Sequence, residues 1–173
     1  ERAEQKVHEL LGKLCAYCGR IRLYVVPFTD VQEQIRDCCD ESYTTIVMRR
    51  FMMRVAGQIA ENEHCAALVT GESAGQVASQ TIVNLSVIND VTTMLMIRPL
   101  AGMDKQESIE RARKIGTYEI SIEDFPDSCT VFAPPSPAVA AKFYLVEEEE
   151  KKIPGIDEAL EQAFKNIEKF ESL

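Results

Sequence analysis

Cys65-Ala66-Ala67-Leu68-Val69-Thr70, followed by Gly71-Glu72-Ser73-Ala74-Gly75-Gln76-Val77-Ala78-Ser79-Gln80-Thr81, decides how the chain is read. The first six residues are a short apolar run, which predicts a buried strand. Residues 76–88 predict a helix. Gly71 lacks a side chain where a ligand would approach the backbone. Gly75 and Gln76 are expected at the helix start, where free N–H groups and the positive end of the helix dipole face outward. Gln80 lies one turn after Gln76 and offers both a donor and an acceptor, which suits a base or a sugar. The residues alone allow an anion- or nucleotide-binding turn, or a plain glycine-rich connection. They match neither the dinucleotide glycine fingerprint nor the Walker loop.

The flanking sequence repeats the alternation. Upstream, Val7, Leu10, Leu11 and Leu14 form one apolar stripe, which predicts a helix over 2–18 ended by Gly19. Residues 21–26 read as a strand closed by Pro27. Thr29 is positioned to cap a short helix, and Val47, Phe51, Val55 and Ile59 place a longer one over about 43–62. Downstream, 94–97 reads as a strand and Asp104 as the cap of a helix over about 105–115, ended by Gly116. Residues 117–137 are rich in proline and read as irregular. Glu147 to Lys152 reads as a solvated charge run, and 156–171 as an amphipathic helix. Strands alternating with helices predict an α/β fold, a parallel sheet with helices on both faces. Ligands of such folds sit beyond the carboxyl ends of the strands, here after Val26, Thr70 and Ile97.

The 173 residues suffice for one domain with its own core. Aliphatic residues are plentiful, which excludes a disordered chain. No apolar run reaches the roughly 18–20 residues of a membrane span. With 19 Lys+Arg against 28 Asp+Glu, the net charge of −9 disfavours unaided binding to a phosphate backbone. Six cysteines in irregular spacing do not make a disulfide scaffold, and reduced thiols place the chain in the cytoplasm. The chain starts at Glu1, inside a helix, and is read as a piece of a longer protein.

The string Gly71–Thr81 resembles the nucleotide-binding turn of the tRNA 4-thiouridine synthetases, the tRNA sulfurtransferases. Collinear segments agree: Tyr24-Val25-Val26-Pro27-Phe28-Thr29-Asp30-Val31-Gln32, Met48-Arg49-Arg50-Phe51-Met52, Ile97-Arg98-Pro99-Leu100, Met103-Asp104-Lys105 and Phe125-Pro126-Asp127-Ser128-Cys129. The resemblance implies a partial catalytic domain of the adenine-nucleotide alpha-hydrolase (ATP-pyrophosphatase) type over 1–145, Rossmann-like and incomplete at its N-terminus. Residues 146–173 are then an acidic linker and a C-terminal helix. The implied reaction uses ATP, with Mg2+, to adenylate a tRNA uridine and replace its 4-oxygen by persulfide sulfur. A role in making the thiazole of thiamine is implied as well. By position, Arg49, Gly71 and Gln80 would contact ATP, and Cys129 would be the catalytic cysteine. Implied partners are tRNA and a cysteine desulfurase. A homodimer is a further expectation, since a sheet lacking a strand exposes edges. The family's Ser-Gly-Gly-x-Asp-Ser phosphate loop is absent from this sequence. Two other readings therefore stay open: a sibling ATP pyrophosphatase with another acceptor, and a non-catalytic nucleotide-binding module.

Other features carry two readings each. Cys15 and Cys18 have redox spacing, but sit near a helix C-terminus, where the dipole opposes a thiolate. No metal site is predicted, since a second matching pair is missing. Cys38 and Cys39 read as inert. Arg49, Arg50 and Arg54 form the densest basic cluster, either a phosphate patch or a solvated face. Arg98 either meets a ligand or pairs with Asp104.

Overall fold

The computed structural model describes residues 2–123 and 134–171. In chain order the elements are α1 (Arg2–Cys18), β1 (Arg22–Val25), α2 (Thr29–Cys38), α3 (Thr44–Asn62), β2 (Ala67–Val69), α4 (Ile82–Asn89), β3 (Leu95–Ile97), α5 (Lys105–Lys114), α6 (Tyr118–Ser121), α7 (Phe143–Lys151), α8 (Ile156–Lys165) and β4 (Glu168–Glu171). Short 3₁₀ turns cover Glu41–Tyr43 and Ala78–Gln80. Gly19 and Gly116 end α1 and α5 with φ of +72° and +74°, a conformation that glycine adopts without strain. Asp104 caps α5 through a full capping box with Glu107. Thr29 opens α2 as its first residue; the preceding Phe28 makes no side-chain cap.

The α/β alternation is present, and its pairing is more limited than a single parallel sheet. Strands β2 and β3 pair in parallel, with Val69 opposite Ile97. Strand β1 pairs antiparallel with β4 in a separate two-stranded ladder, with Leu23 opposite Phe170. The expected terminal helix therefore stops at Lys165, and the last turn is replaced by a strand.

The helix expected over 76–88 is also corrected. Gly75 turns into the left-handed region (φ +78°), and its N–H donates to the Gln80 carbonyl at 2.9 Å. Val77 is extended. Helix α4 starts only after Thr81, whose hydroxyl accepts from the Asn84 N–H at 3.2 Å. Gly75 and Gln76 thus lie in a turn, one that leads into a later helix.

The core is built mainly by helices. Val31 and Ile35 of α2, Ile46, Val47 and Phe51 of α3, Val87 and Ile88 of α4, and Val146 of α7 are buried together. The β2–β3 ladder instead leaves Val69, Leu95 and Ile97 exposed on one face. The densest basic cluster serves this core. Arg50 is buried; its Nε donates to Glu150 at 2.7 Å and its Nη1 to the Val87 carbonyl at 2.6 Å. Arg54 holds the same carboxylate through both terminal nitrogens, at 3.0 and 2.7 Å. Arg50 and Arg54 are therefore neither a phosphate patch nor a solvated face; they fasten α3 to α7.

The run Glu147–Lys152 is likewise not wholly solvated. Glu149 is buried and accepts from the Asp40 N–H at 2.8 Å. Burial raises the Glu150 pKa, but hydrogen bonds from Arg54 and Arg50 outweigh it and hold the carboxyl below its ordinary range. Glu150→Gln keeps one acceptor and loses the charge. It is expected to cost about 1.5–3 kcal/mol in urea unfolding, the value of hydrogen bonds to charged groups. An unchanged unfolding midpoint would remove this clamp from the account of stability.

Candidate functional site

Helix α3 presents Thr45, Arg49 and Met52 on one face, at the i, i+4 and i+7 positions. Opposite lie Val77, Ala78, Ser79 and Gln80, from the turn before α4. Pro134 and Pro137 close a third side. Together they enclose a cavity of about 500 Å³. Such a volume is typical of small-molecule sites. Met48, Met52 and Met53 make one wall apolar, while Arg49, Ser79, Gln80 and Thr45 supply polar groups. An apolar slot with polar groups at its edge can take a flat base and direct a charged tail toward the guanidinium.

The polar groups are held from below. Arg49 donates to Ser79 Oγ at 3.4 Å and forms an ion pair with Glu72. Glu72 is 3% exposed. Its second oxygen accepts from Arg98 Nε at 2.6 Å and from Thr70 Oγ1 at 2.8 Å. Burial pushes the Glu72 pKa up, but hydrogen bonds from Arg98 and Thr70 and the charges of both arginines outweigh it, so the carboxyl titrates below its ordinary range. Arg98 reaches on to Asn89 Oδ1 at 3.3 Å. Asp104, the partner expected for Arg98, is occupied in capping α5. The loops after β2 and β3 and the middle of α3 are thus locked by one carboxylate between two guanidinium groups.

Gln80 laces the turn. Its Oε1 accepts from the Ser73 N–H at 2.9 Å. Its amide nitrogen makes no hydrogen bond among the described residues and lies on a side chain lining the cavity. Gly71 is exposed, and a Cβ built there would meet nothing within 4 Å, so the backbone is open to approach. Arg49 and Gln80 therefore share one cavity. Gly71 stands outside its lining and joins it in sequence through Glu72. Cys129 lies outside the described residues; Pro134 and Pro137, which follow it in sequence, line the cavity.

The other sulfur atoms are not gathered. Cys15, Cys18, Cys38, Cys39 and Cys65 are free thiols. Burial, reinforced by Glu149, pushes the Cys39 thiol up to about 12, so it stays protonated and inert. Among the described residues no group of three or more His, Cys, Asp or Glu could hold a metal ion.

Sequence reasoning missed Glu72 and Asn84. Glu72 is the one charged residue between Gly71 and Thr81. A lone carboxylate in a turn read as anion-binding signals a cation to be paired. Asn84 gives no comparable signal, because a polar residue within a predicted helix looks like any other.

Residues 1–154 match the family model described as "Thiamine biosynthesis protein (ThiI)". The chain is 48% identical to a "Probable tRNA sulfurtransferase" of Bacillus pumilus over 94% of its own length and 41% of that protein. It is also 48% identical to the protein of the same name from Clostridium botulinum, over 97% of its own length and 43% of that protein. The chain thus spans about two fifths of the length of these curated relatives. A solved structure titled "Crystal structure of a 4-thiouridine synthetase - RNA complex with bound ATP" matches all of the chain and 45% of its own, with a TM-score of 0.94 and 40% identity. No described helix is long and apolar enough to cross a membrane. With residues 1–154 of its 173 matched by the family model, the chain belongs to the ThiI family.

Proposed function

We propose that this chain is the nucleotide-binding part of a tRNA sulfurtransferase that makes 4-thiouridine. The observation that carries the reading is the cavity that Arg49 and Gln80 both line, in a chain similar throughout its length to a 4-thiouridine synthetase solved in complex with RNA and ATP. The adenine would lie against Met48, Met52 and Met53, with the free Gln80 amide hydrogens facing it. The phosphates would run toward Arg49 and the open backbone at Gly71.

The chemistry follows from leaving-group strength. A uracil carbonyl oxygen does not depart readily. Its attack on the α-phosphorus of ATP breaks the bond to pyrophosphate and leaves the oxygen as part of AMP. The terminal sulfur of a persulfide then attacks C4, and the C4–oxygen bond breaks as AMP leaves. Cys129, as thiolate, attacks the donor sulfur; the sulfur–sulfur bond to the uridine breaks, and a disulfide to Cys129 forms. A dithiol reductant resets that disulfide. A cysteine desulfurase would supply the persulfide sulfur, and the remainder of the longer protein would supply affinity for tRNA that a chain of net charge −9 lacks.

Beside the cavity, Glu72 has both oxygens committed to Arg49, Arg98 and Thr70 and so offers Mg2+ no free ligand. The ion would arrive with the triphosphate. The uncrosslinked thiols suit the cytoplasm. A groove of about 540 Å³ runs between β1 and β2, lined by Arg22, Tyr24, Ala67, Leu68 and Val69. A strand seated there would join the two ladders into one sheet with helices on both faces, as in the adenine-nucleotide alpha-hydrolase fold, and its open edges would also suit a homodimer.

Calorimetric titration of the full-length protein with ATP tests the site. Gln80→Glu keeps an oxygen that accepts from Ser73 and removes the donor proposed to meet the base. It is expected to weaken ATP binding about 10- to 100-fold, with a thermal midpoint close to that of the wild type. Unchanged affinity would remove the base from this cavity.

A further inference from the structure

We infer that Asn84 is a positioning residue for the cavity, fixing the separation of its walls and so the affinity for nucleotide. This rests on the nucleotide reading given above and adds a residue to it. Asn84 is 0% exposed and touches the cavity through other groups alone. Its Nδ2 donates to the Ala78 carbonyl at 2.8 Å and to the Ala138 carbonyl at 2.8 Å. Its Oδ1 accepts from the Ala141 N–H at 2.9 Å. One amide therefore binds the turn that lines the cavity to the chain that continues from Pro137, which lines the other side.

The network extends to the third wall. The Ala138 N–H donates to the Ser42 carbonyl at 3.0 Å, two residues before α3, the helix that carries Arg49. Thr81 adds a second fastening, with its hydroxyl donating to the Val139 carbonyl at 2.8 Å. Only a primary amide supplies two donors and an acceptor from one planar group. A carboxylate of the same shape would set one negative oxygen against two carbonyls. Leucine would leave two part-buried carbonyls and a buried N–H without this partner. The three bonds all run to segments outside α4.

The test uses the full-length enzyme, with ATP titrated at saturating tRNA and sulfur donor. Asn84→Asp is expected to raise KM for ATP at least about tenfold, with kcat within about threefold of wild type. Thr81→Val removes the second fastening together with the cap of α4 and is expected to raise KM by about three- to fivefold, and Thr81→Ser, which keeps the hydroxyl, to restore it. If Asn84→Asp does not fold, the Thr81 pair decides alone. A wild-type KM in Thr81→Val and in a folded Asn84 variant, with only the thermal midpoint lowered, would overturn the inference and leave a structural role. A wild-type enzyme that takes up no ATP would instead overturn the nucleotide reading itself.

Discussion

Glu72→Ala is expected to lose about 3–5 kcal/mol of stability and to weaken ATP binding at least about 100-fold. The carboxylate is 3% exposed, and the side chains of Arg49 and Arg98 are 17% and 18% exposed. Without Glu72, two guanidinium groups face each other in a space with little water and no counter-charge. Arg49 keeps only the long contact to Ser79, so its charge is no longer held at the cavity edge. Extra positive charge alone would favour a nucleotide; a loose guanidinium does not, because bidentate geometry is what makes it effective toward phosphate. Glu72→Gln preserves shape and one acceptor, and is expected to fall between wild type and alanine on both measures. The pH dependence has a definite sign. The folded carboxyl titrates below its ordinary 4.5, so its stabilisation is complete above that value and is lost as pH falls through the folded pKa. The gap in urea midpoint between wild type and Glu72→Gln should therefore close in acid. A wild-type midpoint and ATP affinity in Glu72→Ala would dismiss the triad.

Local pattern made much of this fold legible. The stripe of Val7, Leu10, Leu11 and Leu14 became α1, and the runs at 21–26, 65–70 and 94–97 became β1, β2 and β3 with frayed ends trimmed. Elements that failed were those decided by distant partners. Glu168–Glu171 carries a helix-compatible pattern; its strand exists because β1 offers an edge more than 140 residues earlier. Glu150 looks solvated in sequence; Arg50 and Arg54, about a hundred residues upstream, make its burial tolerable. The break before α4 was local, but it depended on Gly75 taking a positive φ and on Thr81 offering its hydroxyl to Asn84.

The site divided along similar lines. Arg49, Gly71 and Gln80 followed from the resemblance, and Arg49 and Gln80 lie on one cavity. The residues holding them in place did not. Strands β2 and β3 are parallel and in register, so Thr70 and Arg98 occupy equivalent positions just past their ends. Glu72, two residues further, is then within reach of Arg98. That inference needs the register, which no sequence pattern supplied. Asn84 is less legible still, because its partners are main-chain groups and main-chain groups have no sequence signature.

Cys129→Ser in the full-length enzyme is expected to lower 4-thiouridine formation at least about 1000-fold while leaving ATP affinity within about twofold. The nucleotide contacts proposed here are Arg49, Gly71 and Gln80, none of which the change touches. In the proposed reaction adenylation consumes ATP before sulfur is needed, so the variant should still release pyrophosphate in the presence of tRNA. The sulfur step should stop. Attack on a sulfur–sulfur bond requires a thiolate; a serine hydroxyl is neither ionised near neutral pH nor soft enough to displace one sulfur from another. Sulfur transfer needs a thiolate and pyrophosphate release does not, so raising the pH should speed the former alone. Nucleoside analysis of the tRNA, run beside a pyrophosphate assay, separates the two steps. Thiolation retained in Cys129→Ser would strip this cysteine of its assigned part, and loss of both products together would move its role back to the nucleotide step.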